Sequence, residues 1–474
     1  MKIKIADFDL HQIELKTRLP FRYGIATMTR VPQVFVRLWV EMDGQTSVGI
    51  SADLLPPKWF TKDPARRVEE EIDEMLRVIR HALVTAKGLQ GESAFGIWRD
   101  LYAAQLEWGK KNHFPPLLAN FGTSLVERGL IEAIGRAGGQ TFSEMLRTNF
   151  LGIRLGEIHA ELAGREPADF LPEQALSRII VRHTVGLADS LAEEEISRGE
   201  RLDDGLPQSL EASIEAYGLR HFKIKIAGDP ASDVQRLKRS AEIIQNDAPP
   251  DFAFSLDGNE QFRSLDDFRG LWETILSDPI LRRFSERLLF IEQPLHRTLA
   301  LDAAVGTELE AWPDHPPMII DESDATLEDL PRALELGYAG TSHKNCKGVF
   351  KGIANCCLLR HRQSQQPSRA LLLSGEDLCN TGPVALLQDL AMMATLGIQS
   401  VERNGHHYNA GLSQFPAAVQ QQILAHHGDL YRPSRDGWPT LRIEQGEIHL
   451  DSLNRSPFGV GFTLDVEKFE RDRS

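Results

Sequence analysis

HFKIKI, residues 221–226, alternates large apolar side chains with His and Lys. Side chains point to opposite faces along a strand. Phe222, Ile224 and Ile226 therefore share one face, and His221, Lys223 and Lys225 share the other. Similar short apolar runs lie on either side of it: IIVRHTVGL (179–187), FAFSLDGN (252–259), LLFIEQP (288–294), PMIIDES (317–323), AGTSHKN (339–345) and ALLLSGE (370–376). Amphipathic helical stretches separate them. In residues 233–245, Val234, Leu237, Ala241 and Ile244 fall on one face, behind Asp229 as cap and Pro230 in the first turn. Strands alternating with helices over more than ~200 residues predict an α/β fold with a parallel (β/α) barrel. A doubly wound open sheet is the rival, but no Gly-rich phosphate loop follows a strand.

In a barrel the apolar face of HFKIKI packs on helices and the other face points inward. Two lysines inside a barrel are costly unless paired; a solvated edge strand is the alternative for this segment taken alone. The runs that follow end in acids. Asp257 closes FAFSLD with Asn259 just beyond, Glu292 precedes Gln293-Pro294, and Asp321-Glu322 closes PMII. Each carboxylate falls at the C-terminal end of a strand, where barrel active sites are built. One such acid alone reads as a helix cap. Three in succession form a set of hard oxygen ligands that suits Mg²⁺. No HxH or HExxH motif offers a zinc site, and the adjacent pair His406-His407 would diverge in a strand. Lys344 ends the next run and faces Lys225 across the barrel mouth. Burial or neighbouring positive charge, the metal's included, would lower its pKa and make it a base.

Outward from the barrel, the first ~60 residues read as sheet. VFVRLWVEM (34–42) is a strand and Asp43-Gly44 a hairpin turn. Residues 64–147 turn helical, with Val68, Ile72, Met75 and Ile79 at helical spacing. The net charge of −15 argues against a nucleic-acid surface. No apolar run reaches membrane-spanning length, and MKIKIADFDL lacks the apolar core of a leader. The four cysteines, Cys346, Cys356, Cys357 and Cys379, form no CxxC pair and read as small buried hydrophobes. A cytoplasmic protein is expected.

The order Lys223-Ile-Lys225, Asp257-Gly-Asn259, Glu292-Gln293-Pro294, Asp321-Glu322-Ser323 and Lys344-Asn-Cys-Lys347 resembles the enolase superfamily. Within it, the pattern resembles the muconate lactonizing enzyme subgroup of the mandelate racemase/muconate lactonizing enzyme type. SLVERGLIEAIGRAGGQTFSEML (124–146) resembles the helix that leads from cap to barrel. The likeness spans nearly the whole chain. It implies a modified TIM barrel with an N-terminal α+β capping domain: residues 1–150 as cap, 151–428 as barrel, and 429–474 packing back on the cap. It implies Asp257, Glu292 and Asp321 as Mg²⁺ ligands and Lys225 and Lys344 as acid/base groups on opposite faces of the substrate. Lys223 would lie close to Lys225 and help depress its pKa. Segments 20–30 and 51–60 resemble two cap loops that close over substrate. Asp53, Leu54, Trp59 and Phe60 would line one side of the pocket, and Arg22 or Tyr23 another. Asn259 joins the substrate-binding candidates. Glu376-Asp377, at a later strand end, could bind a cationic substrate group or cap a helix.

Three features depart from the family: a longer interval from Asp257 to Glu292, a longer 84–120 region, and Gly348-Val349 after Lys347 where paired glycines are usual. The implied reaction removes the α-proton of a small-molecule carboxylate to give an enediolate that the metal stabilises. Racemisation or epimerisation, cycloisomerisation and dehydration are its possible outcomes, with racemisation favoured because both lysines are present. The partner is that carboxylate, with no nucleic acid and no membrane, and a homo-oligomer is expected. The rivals are a Schiff-base aldolase on Lys344 and a non-catalytic member of the superfamily.

Overall fold

In the computed structural model, which describes residues 2–472, the chain opens on three long antiparallel strands: β1 (Ile3–Tyr23), β2 (Ala26–Met42) and β3 (Gln45–Leu54). The turn between β2 and β3 is the Asp43-Gly44 pair. Both residues have positive φ, 49° and 89°, as a hairpin turn that matches the strand twist requires. Segment 20–30 is not the free loop expected of a lid, whereas residues 55–60 of segment 51–60 lie in no strand or helix. Residues 20–23 and 26–30 form the tip of the β1–β2 hairpin, and residues 51–54 end β3. Alternation along that tip turns Phe21, Tyr23 and Met28 inward and leaves Arg22 in solvent.

Four helices follow: α1 (Val68–Ala86), α2 (Ala94–Lys111), α3 (Pro116–Gly138) and α4 (Phe142–Arg147), with the short β4 (Gln90–Gly91) paired to β1. The long 84–120 region thus carries α2. Helix α3 is buried all round from Leu117 to Gly135, and its charged residues are each paired. Arg128 donates to the Ala52 carbonyl at 2.9 Å and to Asp53 at 2.8 Å. Glu127 accepts from the Val349 amide at 2.5 Å. The cap sheet lies directly on this helix at Gly49, where an added Cβ would sit 1.9 Å from the Gly129 carbonyl oxygen and 2.7 Å from the Ala133 nitrogen. Backbone cannot yield as a side chain can. Gly49→Ala is therefore expected to cost about 3 kcal/mol, seen as a lower urea midpoint at unchanged m-value.

The barrel strands are β5 (Arg178–Val185), β6 (His221–Lys225), β7 (Ala253–Asp257), β8 (Leu288–Glu292), β9 (Met318–Ile320), β10 (Gly340–His343), β11 (Leu372–Gly375) and β12 (Ser400–Arg403). All eight run parallel, each paired to the next, and β12 closes on β5. A closed sheet has no edge strand, which removes the edge reading of HFKIKI. Strand β12, SVER, was not among the runs recognised in the sequence. The crossover helices are α5 (Leu210–Tyr217), α6 (Pro230–Asp247), α7 (Leu265–Ser277), α8 (Pro279–Ser285), α9 (Ala303–Glu310), α10 (Asp329–Leu336), α11 (Val349–Gln365) and α12 (Ala385–Leu396), and α13 (Gly405–Tyr408) follows β12. Asp229 caps α6 as expected, accepting from the Ala231 and Ser232 amides. The longer Asp257–Glu292 interval holds the pair α7 and α8, with Asp278 capping the second.

The last residues divide between the two parts. After the hairpin β13 (Tyr431–Pro433) and β14 (Pro439–Leu441), β15 (Glu447–His449) pairs with β5 of the barrel, while β16 (Glu470–Arg471) pairs with β1 of the cap. All four cysteines are buried and free. Among the described residues, no helix is long and apolar enough to cross a membrane.

Candidate active site

Strand β6 carries the first two site residues. Phe222 and Ile224 pack outward, and Lys223 and Lys225 point into the barrel, 1% and 6% exposed. Strand β10 stands four strands further round a ring of eight, so Lys344, which follows it, is diametrically opposite β6. The ends of β7, β8 and β9, lying between them, supply Asp257, Glu292 and Asp321. The other arc supplies Glu376, after β11, and Glu402 in β12.

These groups form one ionic network. Lys223 Nζ lies 2.8 Å from Glu292, 2.8 Å from Glu376, 2.9 Å from Glu402 and 3.1 Å from Asp257. Lys225 Nζ donates to Asp257 Oδ2 at 2.7 Å. Lys344 Nζ donates to Asp321 Oδ2 and Glu376 Oε2, each at 2.7 Å. Lys347 reaches the other oxygen of Asp321 at 3.0 Å, and Ser342 Oγ donates to that oxygen at 2.5 Å. Arg182, from β5, approaches Glu376 Oε1 at 3.3 Å.

Burial disfavours the charged form of every group here, so the neighbours decide each outcome. For Lys344, burial would lower the pKa, but Asp321 and Glu376 outweigh it and hold the ammonium well above its ordinary range. Lys223 is likewise held up against burial by Asp257, Glu292, Glu376 and Glu402. In the metal-free protein, the two carboxylates that touch Lys344 thus outweigh the burial expected to lower its pKa. Asp321 is held below the usual carboxylate range, burial being overcome by Lys344 and Lys347. Glu292 goes the other way: burial and then the charges of Asp257 and Glu376 push it well above that range.

Glu292, Asp321 and Glu376 each offer an oxygen within 4.8 Å of the other two, and Asp257 shares Lys223 with Glu292. Glu292 Oε2 is buried with no hydrogen-bond partner. A carboxylate crowded by other carboxylates, with one oxygen unserved, fits a hard divalent cation such as Mg²⁺.

A narrow cavity opens on this network. Lys225, Lys344, Asp257 and Asp321 line its polar floor, and Phe21, Tyr23, Met28 and Trp59 of the cap line its apolar wall. The Trp59 ring lies 5.4 Å from Lys344 Nζ. Tyr23 donates to the Pro57 carbonyl at 2.7 Å. Asn259 lines the cavity, and its amide nitrogen donates to Asp257 at 2.8 Å. Asp377 also lines it, but is ion-paired with Arg403. Glu376 lies beneath, bound to Lys223, Lys344 and Arg182. Both acids of the Glu376-Asp377 pair thus face cationic side chains of the chain itself. Asp53 is paired with Arg128 at 2.8 Å, and Phe60 packs on Phe121 at 4.5 Å between ring centroids. His406 and His407 lie off the cavity, packed against His183. Glu402 was missed in the sequence; its signal is the alternation Ser400/Glu402 in SVER, an acid on the inward face of a short run.

No protein-family model and no curated protein matches the chain. Solved structures do match over nearly the full length. A muconate lactonizing enzyme from Pseudomonas fluorescens, complexed with muconolactone, is 17% identical with a TM-score of 0.59, over 99% of each chain. An enolase from Bradyrhizobium, complexed with magnesium and mandelic acid, is 13% identical with a TM-score of 0.56, over 99% of each chain. An N-succinyl Arg/Lys racemase from Bacillus cereus is 16% identical with a TM-score of 0.56, over 97% of this chain and 98% of that one. The chain has the fold of these mandelate racemase/muconate lactonizing enzyme-like proteins: a modified TIM barrel with an N-terminal capping domain.

Proposed function

We propose that the chain is a member of the enolase superfamily that abstracts the α-proton of a carboxylate substrate, most readily as a racemase or epimerase. The observation that carries this reading is the pair Lys225 and Lys344 on opposite strands, both lining one cavity, with Asp257, Glu292 and Asp321 on the arc between them. The magnesium and mandelic acid in one structural neighbour and the racemase activity named for another support it. Asp257, Glu292 and Asp321 would hold Mg²⁺ beside Glu376. The metal would offset the negative charge that develops on the substrate carboxylate and draw carboxylates away from the lysines.

The chain's own residues do the rest. The lysine on one side takes the α-proton, and the ammonium on the other side delivers one to the opposite face, which inverts the centre. Lys223, bound to four carboxylates, carries charge rather than a mobile proton and keeps the acids of four strands converged. Trp59, Phe21 and Tyr23 exclude water from the reacting carbon, which strengthens the electrostatics below. The aldolase reading leaves Asp257, Glu292 and Asp321 without a role.

The test is α-proton exchange in D₂O across a panel of chiral carboxylates with Mg²⁺ present. Exchange is expected for both enantiomers of at least one acid, lost with EDTA and restored by Mg²⁺. Borohydride trapping of a carbonyl substrate on Lys344, with activity indifferent to EDTA, would instead establish the aldolase.

A further inference from the structure

Three residues far apart in sequence meet at the rim of the cavity and play no part in the proton transfer described above. Glu260, in the loop after β7, has a fully buried side chain. It pairs with Arg297, in the loop after β8, at 2.7 Å, and with Lys62 of the cap at 2.7 Å. Arg297 extends beyond that pair. Its Nη1 donates to the Phe60 carbonyl and its Nη2 to the Trp59 carbonyl, each at 2.8 Å. Lys62 also donates to the Asn259 carbonyl, which accepts from Gln261 at 2.8 Å as well. The turn of the β1–β2 hairpin rests on the same point: a Cβ on Gly24 would lie 3.3 Å from Lys62 Cε.

Two backbone carbonyls bound by one guanidinium fix the position and orientation of a peptide segment, as a single point charge cannot. The segment fixed is the one that carries Trp59 against Lys344. We propose that Arg297 is a positioning residue, the centre of a latch with Glu260 and Lys62 that ties cap residues 59–62 to the barrel mouth. Through Trp59 the latch closes the Lys344 side of the cavity and limits the size of the α-substituent that fits there. The latch itself stands on the geometry, whereas its effect on catalysis rests on the proton-abstraction reading.

The test separates the two. Amide hydrogen exchange is measured on metal-free, substrate-free protein. Arg297→Gln is expected to speed exchange in residues 57–62 at least about tenfold while α3 and the barrel strands stay as in wild type, with Arg297→Lys intermediate. On the best carboxylate from the panel, Arg297→Gln should raise KM about tenfold with a smaller change in kcat, and should improve the relative rate with bulkier α-substituents. If Arg297→Gln does not accumulate as folded protein, Lys62→Met carries the same measurement from the cap side. Unchanged exchange at 57–62, or a rise spread evenly over the chain, would overturn the latch whatever the kinetics. Faster exchange confined to 57–62, in a protein that moves no α-proton in wild type, would keep the latch and refute the function proposed above.

Discussion

Lys225→Ala and Lys344→Ala are each expected to reduce racemisation about a thousandfold, yet to leave different residual chemistry. A positioned acid or base contributes about 10²- to 10⁴-fold, and each lysine serves only one face of the substrate carbon. Inversion needs both. Exchange of the α-proton with solvent needs only the base on the side where the proton lies. With deuterium as label, Lys225→Ala should therefore retain exchange for one enantiomer and Lys344→Ala for the other. Arginine at either position keeps the charge but is a poor base near neutral pH, so it should match alanine in rate. Lys344→Ala also strips Asp321 and Glu376 of a contact at 2.7 Å, so its folded fraction must be measured first; Lys344→Arg keeps a cation there. If only one lysine proves necessary for exchange, a one-base cycloisomerase or lyase replaces the racemase. Wild-type exchange of both enantiomers in both mutants would end the mechanism altogether.

Glu292→Gln should separate metal binding from folding. Glu292 is buried among Asp257, Glu376 and Asp321, and one of its oxygens has no partner. The amide keeps an acceptor for Lys223, which now lies at 2.8 Å, and puts a permanently neutral group among the other carboxylates. Without metal, the variant should melt no lower than wild type. With Mg²⁺ the order should reverse. Wild type gains about 2.7 kcal/mol at a ligand concentration a hundred times Kd, and the variant gains little, because a hard cation loses an anionic oxygen. Thermal melts with and without Mg²⁺ read this directly, with no substrate needed. An equal Mg²⁺-dependent rise in both proteins would remove Glu292 from the metal site.

The sequence by itself determined the barrel and most of its floor. A strand buried on both faces has no reason to carry Lys223 and Lys225, or to end in Asp257, Glu292 or Asp321, unless those groups serve one another or a ligand. The cost of burying charge is what makes them legible one strand at a time. Strand β12 escaped because four residues, two of them charged, carry too little periodicity to register. Segment 20–30 reads as a loop in the sequence but is strand, because the pairing of β1 with β2 continues out over the barrel mouth.

Other properties belonged to the tertiary structure alone. The direction of the Lys344 pKa is set by Asp321 and Glu376, each 2.7 Å from its Nζ, and the parallel pairing of β11 with β10 is what brings Glu376 there. The engagement of Asp377 by Arg403 and of Glu376 by Lys223 is likewise set by the folded chain. The latch joins residues 59, 60, 62, 260 and 297, which share no motif and no periodicity. Strand and helix patterns arise from local repeats that one segment can display. Pairings between distant segments depend on Coulomb and hydrogen-bond terms that fall off within a few ångströms, so only the folded chain sets them.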